Sequence, residues 1–198
     1  MKNRKTTLRK SLLTAVMLTA MLSYGTNGLN TNPNNDINKT TFTINDVREG
    51  NQLIITDLNG IILYKEQIIK SGTYTKGFDL TSLPSGSYVF ELHKDLEIKT
   101  FPFTVNSNKV VFNGEENIIY KPFVTKRGNR IYVSKLALNE EPLEISIYCD
   151  TELIYKEEIK NTKTIEKAYS LSNSGRETKN YTMVLKANGR KYFEYISL

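Results

Sequence analysis

Residues 52–69 read QLIITDLNGIILYKEQII. Two runs of Ile, Leu, Thr and Tyr flank the tetrapeptide Asp57-Leu58-Asn59-Gly60. β-Branched and aromatic side chains favour a pleated backbone. An Asn-Gly pair between such runs signals a hairpin, because both positions tolerate positive φ. The stretch therefore predicts two antiparallel strands. The same style continues on both sides of it: TYTKGFDL (73–80), the turn TSLPSG (81–86), SYVFELHK (87–94) and LEIKTFPFTV (96–105). Pro84 presets φ for a turn and Gly86 relaxes its exit. No window holds apolar residues at i, i+3, i+4 and i+7 for three turns. Short apolar runs alternate with turn residues instead, the pattern of an all-β sandwich.

The hairpin's second arm is written twice. IILYKEQI (61–68) returns as ELIYKEEI (152–159). At this offset Tyr64, Lys65 and Glu66 meet Tyr155, Lys156 and Glu157, while Phe78 meets Tyr169 and Leu80 meets Leu171. A two-residue insertion then brings Tyr88, Phe90 and Leu92 onto Tyr181, Met183 and Leu185. Side chains alternate faces along a strand, so a one-residue slip would turn a core face to water. Every pair keeps its parity. The expected architecture is two tandem small Ig-like β-sandwich domains from an internal duplication, the first at 42–107 and the second at 108–198. Residues 108–128 have no counterpart before Phe42 and are expected to form one or two strands crossing between the domains. Units this small bury a modest share of their surface, and the two are expected to pack on each other.

Ahead of the folded sequence, MKNRKTTLRK carries five cations and no acid, followed by the apolar run SLLTAVMLTAML. That run has the length of a signal-peptide core and is short for a bilayer span. Residues 1–25 are read as a signal peptide, with cleavage between Gly25 and Thr26. The Asn-rich lead-in 26–41 is expected to be disordered. The mature chain then has no transmembrane segment and is exported, to the periplasm, cell surface or medium. Charge follows the same division. The whole chain is +6, with 27 basic and 21 acidic residues. Without the five leader cations it holds 22 basic residues against 21 acidic ones, a net charge of +1. No concentrated basic face remains for nucleic acid.

Chemistry is sparse. Cys149 and His93 are the only cysteine and histidine, which excludes a His/Cys zinc site and an internal disulfide. There is neither a Gly-x-Ser-x-Gly elbow nor a phosphate loop. Asp57, Asp79, Asp95 and Asp150 fall in or beside turns, where Asp bonds its own backbone. His93 reads as an exposed strand residue and Cys149 as a buried small one. The chain is expected to be non-enzymatic, with no catalytic residue, no metal and no cofactor. Aromatic side chains offer another kind of site. Tyr64, Tyr88, Tyr155 and Tyr181 sit at repeated positions of core parity. Tyr148, Tyr192 and Tyr195 have no aromatic counterpart in the first unit, and are the candidate surface-binding residues for a protein or glycan at the cell envelope.

The first unit also resembles a family pattern. Ile-x-Asp-x-x-Gly, here Ile55, Asp57 and Gly60, precedes Leu-x-x-Leu-x-x-Gly-x-Tyr, here Leu80, Leu83, Gly86 and Tyr88. The pattern is similar to the short Ig-like domains of secreted Bacteroidetes proteins, including the type IX secretion C-terminal sorting domain. It covers 42–105 well, with a degraded copy over 129–198. The resemblance implies export and a β-sandwich, and no catalytic residues. Two functions follow as expectations: a binding or structural module at the envelope, or a sorting-type module whose C-terminal domain is an address.

Overall fold

The computed structural model describes residues 40–114, 116–171 and 179–198. The expected signal peptide 1–25 and its expected cleavage site between Gly25 and Thr26, nearly all of the lead-in and most of the polar loop after Leu171 lie outside them. The first described strand starts at Thr40, two residues before Phe42.

The first six strands are β1 (Thr40–Val47), β2 (Gln52–Asp57), β3 (Ile62–Gln67), β4 (Gly72–Phe78), β5 (Gly86–His93) and β6 (Glu97–Asn106). Two short strands follow, β7 (Lys109–Phe112) and β8 (Asn117–Tyr120). The last seven are β9 (Phe123–Arg127), β10 (Arg130–Leu136), β11 (Leu143–Cys149), β12 (Glu152–Ile159), β13 (Thr164–Ser170), β14 (Asn180–Ala187) and β15 (Arg190–Ser197). All pairings are antiparallel. In the first unit β1–β4 forms one sheet and β3–β2–β5–β6–β7 the other, with β8 also on β6. The second unit has β13–β10–β9 and β12–β11–β14–β15. The order 3-2-5-6 over 1-4 therefore recurs as 12-11-14-15 over 10-13. The fold is an all-β sandwich, present twice in tandem.

Each pair of sheets encloses its own core. Phe42, Leu53, Phe90, Leu92, Phe101 and Phe103 fill the first, with the Phe42 and Phe90 rings stacked at 4.1 Å. The second core is almost purely aliphatic: Ile131, Val133, Leu143, Ile145, Ile147, Met183 and Leu185. Tyr88 and Tyr181 are both buried, as their shared parity predicts. Tyr155 is not, because β12 is a sheet edge and leaves it half exposed.

The β2–β3 turn forms where the sequence places it, with one difference. Gly60 alone takes positive φ, at 80°, and Asn59 does not. The Asp57 carboxylate supplies the remaining order, accepting from the Asn59 and Ile61 N–H groups at 2.9 and 2.8 Å. A bulge follows between Ile55 and Thr56, and β11 carries one at the matching place, between Ile147 and Tyr148.

The boundary at 107/108 is not where the sheets divide. β7 pairs with Phe103–Asn106 and β8 with Glu97–Thr100, so both extend the first unit's large sheet. Their interruption falls opposite Pro102, whose carbonyl accepts from Asn113 N–H at 2.9 Å. A strand residue points its N–H and C=O to the same side, so the donor that proline lacks is missing from this edge. The second unit's sheets begin with β9, after Lys121 and Pro122.

Candidate functional site

The three candidate tyrosines separate by strand parity. Along β15, Tyr192 and Ile196 turn inward, while Phe193 and Tyr195 turn outward. Tyr192 lies opposite core residue Leu185 and packs against the second core. Burial pushes its phenol up, and among the described residues its hydroxyl has no hydrogen-bond partner. Tyr192 is therefore not a surface aromatic, contrary to the sequence expectation. The lack of an aromatic counterpart marks divergence between the units but does not say which face a residue takes.

Tyr148 and Tyr195 do come together. Both are paired with Thr182 of β14, one from each side, and Tyr148 is also opposite Leu153 of β12. Leu153, Tyr148, Thr182 and Tyr195 thus form one row across four strands, on the face turned away from the core. The next row holds Lys156, Ser146, Val184 and Phe193. Tyr195 is 79% exposed and Phe193 51%. Beyond them, Glu144 accepts from Lys186 at 2.6 Å and Lys156 at 3.0 Å. Those two hydrogen bonds hold the Glu144 carboxyl below the usual carboxylate range. The result is an aromatic patch bordered by one glutamate paired with two lysines, a net charge of +1. Phe193 and Leu153 were missed in the sequence; Phe193 shares the parity of Tyr195 two residues away, which was the available signal.

The corresponding face of the first unit is different. Its equivalent rows contain Thr56, Val89 and Pro102, then Ile54, Glu91 and Thr100. Glu91 is only 6% exposed, and Ile98 2% although it belongs to neither core. Arg190 of the second unit reaches Glu91 in a bidentate ion pair, with Nη1 donating to Oε2 at 3.2 Å and Nη2 to Oε1. His93 Nε2 lies 2.7 Å from Oε2 of the same carboxylate. Burial pushes the Glu91 carboxyl up, but hydrogen bonds from His93 and Arg190 outweigh it and leave the group below its ordinary value. His93 is accordingly a half-buried paired residue, not the exposed strand residue expected. Ninety-nine residues separate Glu91 from Arg190, and no local pattern announces such a pair. Between the units lies a cleft of about 1280 Å³, walled by Asp46, Lys94, Lys121, Phe123, Lys135 and Glu166 among others. Its cations and acids alternate. The Lys135 ammonium is already bonded to the Leu136 carbonyl at 3.0 Å.

The repeated Tyr-Lys-Glu phrase has a structural explanation. β3 and β4 are edges of opposite sheets, and their inward polar groups meet along the open side of the sandwich. Glu66 accepts from Tyr64, Lys76 and, at 3.1 Å, Tyr74. In the second unit Glu157 accepts from Tyr169 and from Lys167 at 3.1 Å. Lys76 and Lys167 stand at the same offset as the two glutamates. In both carboxylates burial raises the pKa and the tyrosine and lysine hydrogen bonds lower it further, so each ends below the usual range. Burial first, then the neighbouring carboxylate, drives the Tyr74 and Tyr169 phenols up and keeps them protonated. These groups close a seam between sheets.

Among the described residues, no group of three or more His, Cys, Asp or Glu side chains could hold a metal. No described helix is long and apolar enough to cross a membrane. Cys149 is half-buried and packs against the second core.

Fold and face together define a tandem all-β sandwich protein in which, among the described residues, the outer face of β12–β11–β14–β15 exposes Phe193 and Tyr195. Residues 31–106 match the family described as the secretion system C-terminal sorting domain. The match covers β1–β6 of the first sandwich and contains Ile55, Asp57, Gly60, Leu80, Leu83, Gly86 and Tyr88, the residues that carry the resemblance. None of the curated proteins matches the chain. Among solved structures, a biofilm associated protein's BSP domain aligns at 10% identity and TM-score 0.28, covering 81% of this chain and 27% of that one. A structure described as the basis of neurohormone perception by the receptor tyrosine kinase Torso aligns at 8% identity and TM-score 0.26, covering 81% and 68%. This chain spans about a quarter of the length of the first. Neither superposition is close enough to carry a fold or a function across.

Proposed function

We propose that this chain is an exported, non-enzymatic envelope protein that acts by binding through the outer face of β12–β11–β14–β15. One observation carries the reading: among the described residues the first unit's equivalent face buries Glu91 against Arg190, whereas this one leaves Leu153, Phe193 and Tyr195 exposed and has aromatic side chains where its counterpart has Thr56 and Pro102. Leu153, Phe193 and Tyr195 are exposed around the partly buried Tyr148, Thr182 and Val184, and an exposed apolar patch often marks an interaction site on a monomer. Export is supported by the match of residues 31–106 to secretion sorting domains, and by the basic-then-apolar leader. The shared strand order and the bulge at matching places support descent of the two units from one by duplication.

The same family match, although it falls on the first sandwich, supports a second reading, a sorting-type module whose C-terminal domain is an address. The intact mass of natively expressed protein, taken separately from periplasm, outer membrane and medium, separates the two. The binding reading expects loss of residues 1–25 only, with the protein retained at the envelope. Additional trimming near the C-terminus with release to the medium would replace it with the sorting reading.

A further inference from the structure

Tyr148 and Tyr195 flank the same Thr182, one on β11 and the other on β15. Two inter-strand spacings therefore separate them, about 9.5 Å. Thr182 between them is small, so the two rings border a shallow floor that bears a hydroxyl. Ser197 and Asn180, hydrogen-bonded to each other at 2.9 Å, add polar groups at the end of the floor. Aromatic rings standing apart by two sugar lengths, with hydroxyl and amide groups between and beside them, suit stacking against the apolar faces of alternate pyranose rings while the ring between is bonded through its hydroxyls.

Charge narrows the class. The Leu153–Tyr148–Thr182–Tyr195 row has no ionised side chain, and beside it Glu144 is paired with both Lys156 and Lys186. Glu144, Lys156 and Lys186 sum to one exposed positive charge at the margin of the row, little for a polyelectrolyte to hold on to in salt, and a neutral polymer loses nothing. Size argues against a protein partner. Leu153, Tyr148, Val184, Phe193 and Tyr195 together offer on the order of 500 Å², taking ~200 Å² for a whole aromatic side chain. A stable protein interface needs about 800 Å² from each partner.

Resting on the reading that this face is where the protein binds, we propose that it holds an extended neutral glycan, with Tyr148 and Tyr195 as platforms for two sugar rings. The test is native electrophoresis of the full chain through gels containing hydroxyethylcellulose, glucomannan, xylan, laminarin or glycogen, followed by titration calorimetry with the matching hexasaccharide and monosaccharide. At least one polymer retards the protein, and its hexasaccharide binds while its monosaccharide does not. Tyr148→Ala and Tyr195→Ala each weaken binding about tenfold or more, and Tyr195→Phe, which keeps the ring, stays within about twofold. Tyr132→Ala, on the other sheet of the second unit, leaves binding unchanged. Melting temperatures within error of the parent show that the variants fold. No retardation by any of the five polymers overturns the proposal, as does retardation that survives both alanine variants. Fractionating cells that express the double variant tells the two failures apart. Release of that variant from the envelope, with no glycan bound, leaves the face as a docking site for a protein. Retention equal to the parent removes the face as a binding site altogether.

Discussion

Glu91 shows how much one side chain can depend on a distant one. Its carboxylate is buried on the outer face of the first unit's large sheet and satisfied by Arg190 and His93. Removing a partner from a buried ion pair strands the remaining charge, which costs about 3–5 kcal/mol when both are buried. Arg190 is about a third exposed, so Arg190→Ala is expected to cost less, ~2 kcal/mol, in chemical denaturation at pH 7. The pH dependence has a definite sign. A carboxyl whose folded pKa is depressed contributes stability above its ordinary value of about 4.5, and that contribution is lost as pH falls through the folded value. The difference between parent and Arg190→Ala should therefore shrink below about pH 4.5. A difference that persists unchanged at pH 3 would contradict this account. Gly60 makes a simpler case. A Cβ there meets nothing within 4 Å, but φ is +80°. Gly60→Ala should cost about 1 kcal/mol of backbone strain alone, read as a lower denaturation midpoint with an unchanged slope.

At the level of elements, the edge strands decide behaviour. β3 and β12 each end a sheet, and each is tied across the sandwich by one glutamate to a lysine and tyrosines on or beside the facing edge. Glu66→Ala should speed amide hydrogen exchange in β3 and β4 by about tenfold while leaving β12 and β13 at parental rates, and Glu157→Ala should do the converse. Equal acceleration in both units would mean that the seams are not local. The sequence displays half of this arrangement. Repetition of Tyr-Lys-Glu is visible as letters, and strand parity puts Tyr and Glu on one face. That Lys76 and Lys167 close the bond across two sheets is not visible, because it depends on how far apart the sheets sit. β7 and β8 teach the same lesson. Their apolar clusters read correctly as strands, but the edge that would accept them was open to either unit.

The whole molecule consists of two sandwiches with separate cores and a thin connection. Phe90 is completely buried at the centre of the first core, and Met183 occupies the corresponding place in the second. Phe90→Ala should destabilise by about 3–5 kcal/mol and Met183→Ala by about 2–5 kcal/mol. Each loss should be confined to its own unit, so that hydrogen exchange on heating reports two transitions, of which a given variant moves one. A single transition displaced equally by either substitution would show that the Glu91–Arg190 contact couples the cores more tightly than its few groups suggest. The aromatic face also belongs to this scale. The tip of β15 carrying Arg190 rests on the first unit, while among the described residues Leu153, Phe193 and Tyr195 on the second unit's own face stay exposed.

Sequence alone determined the strands, the hairpins, the parity of the buried positions and the division into two similar units. All of these follow from a two-residue side-chain period and from turn chemistry, which are local and legible in one dimension. Tertiary structure alone decided which sheet took β7 and β8, that Glu91 meets Arg190, and that Tyr148 and Tyr195 share a floor while Tyr192 is buried. Those outcomes depend on which strand edge is open and on the register between strands far apart in the chain. The residues on either side of such a contact are the same letters whether or not it forms.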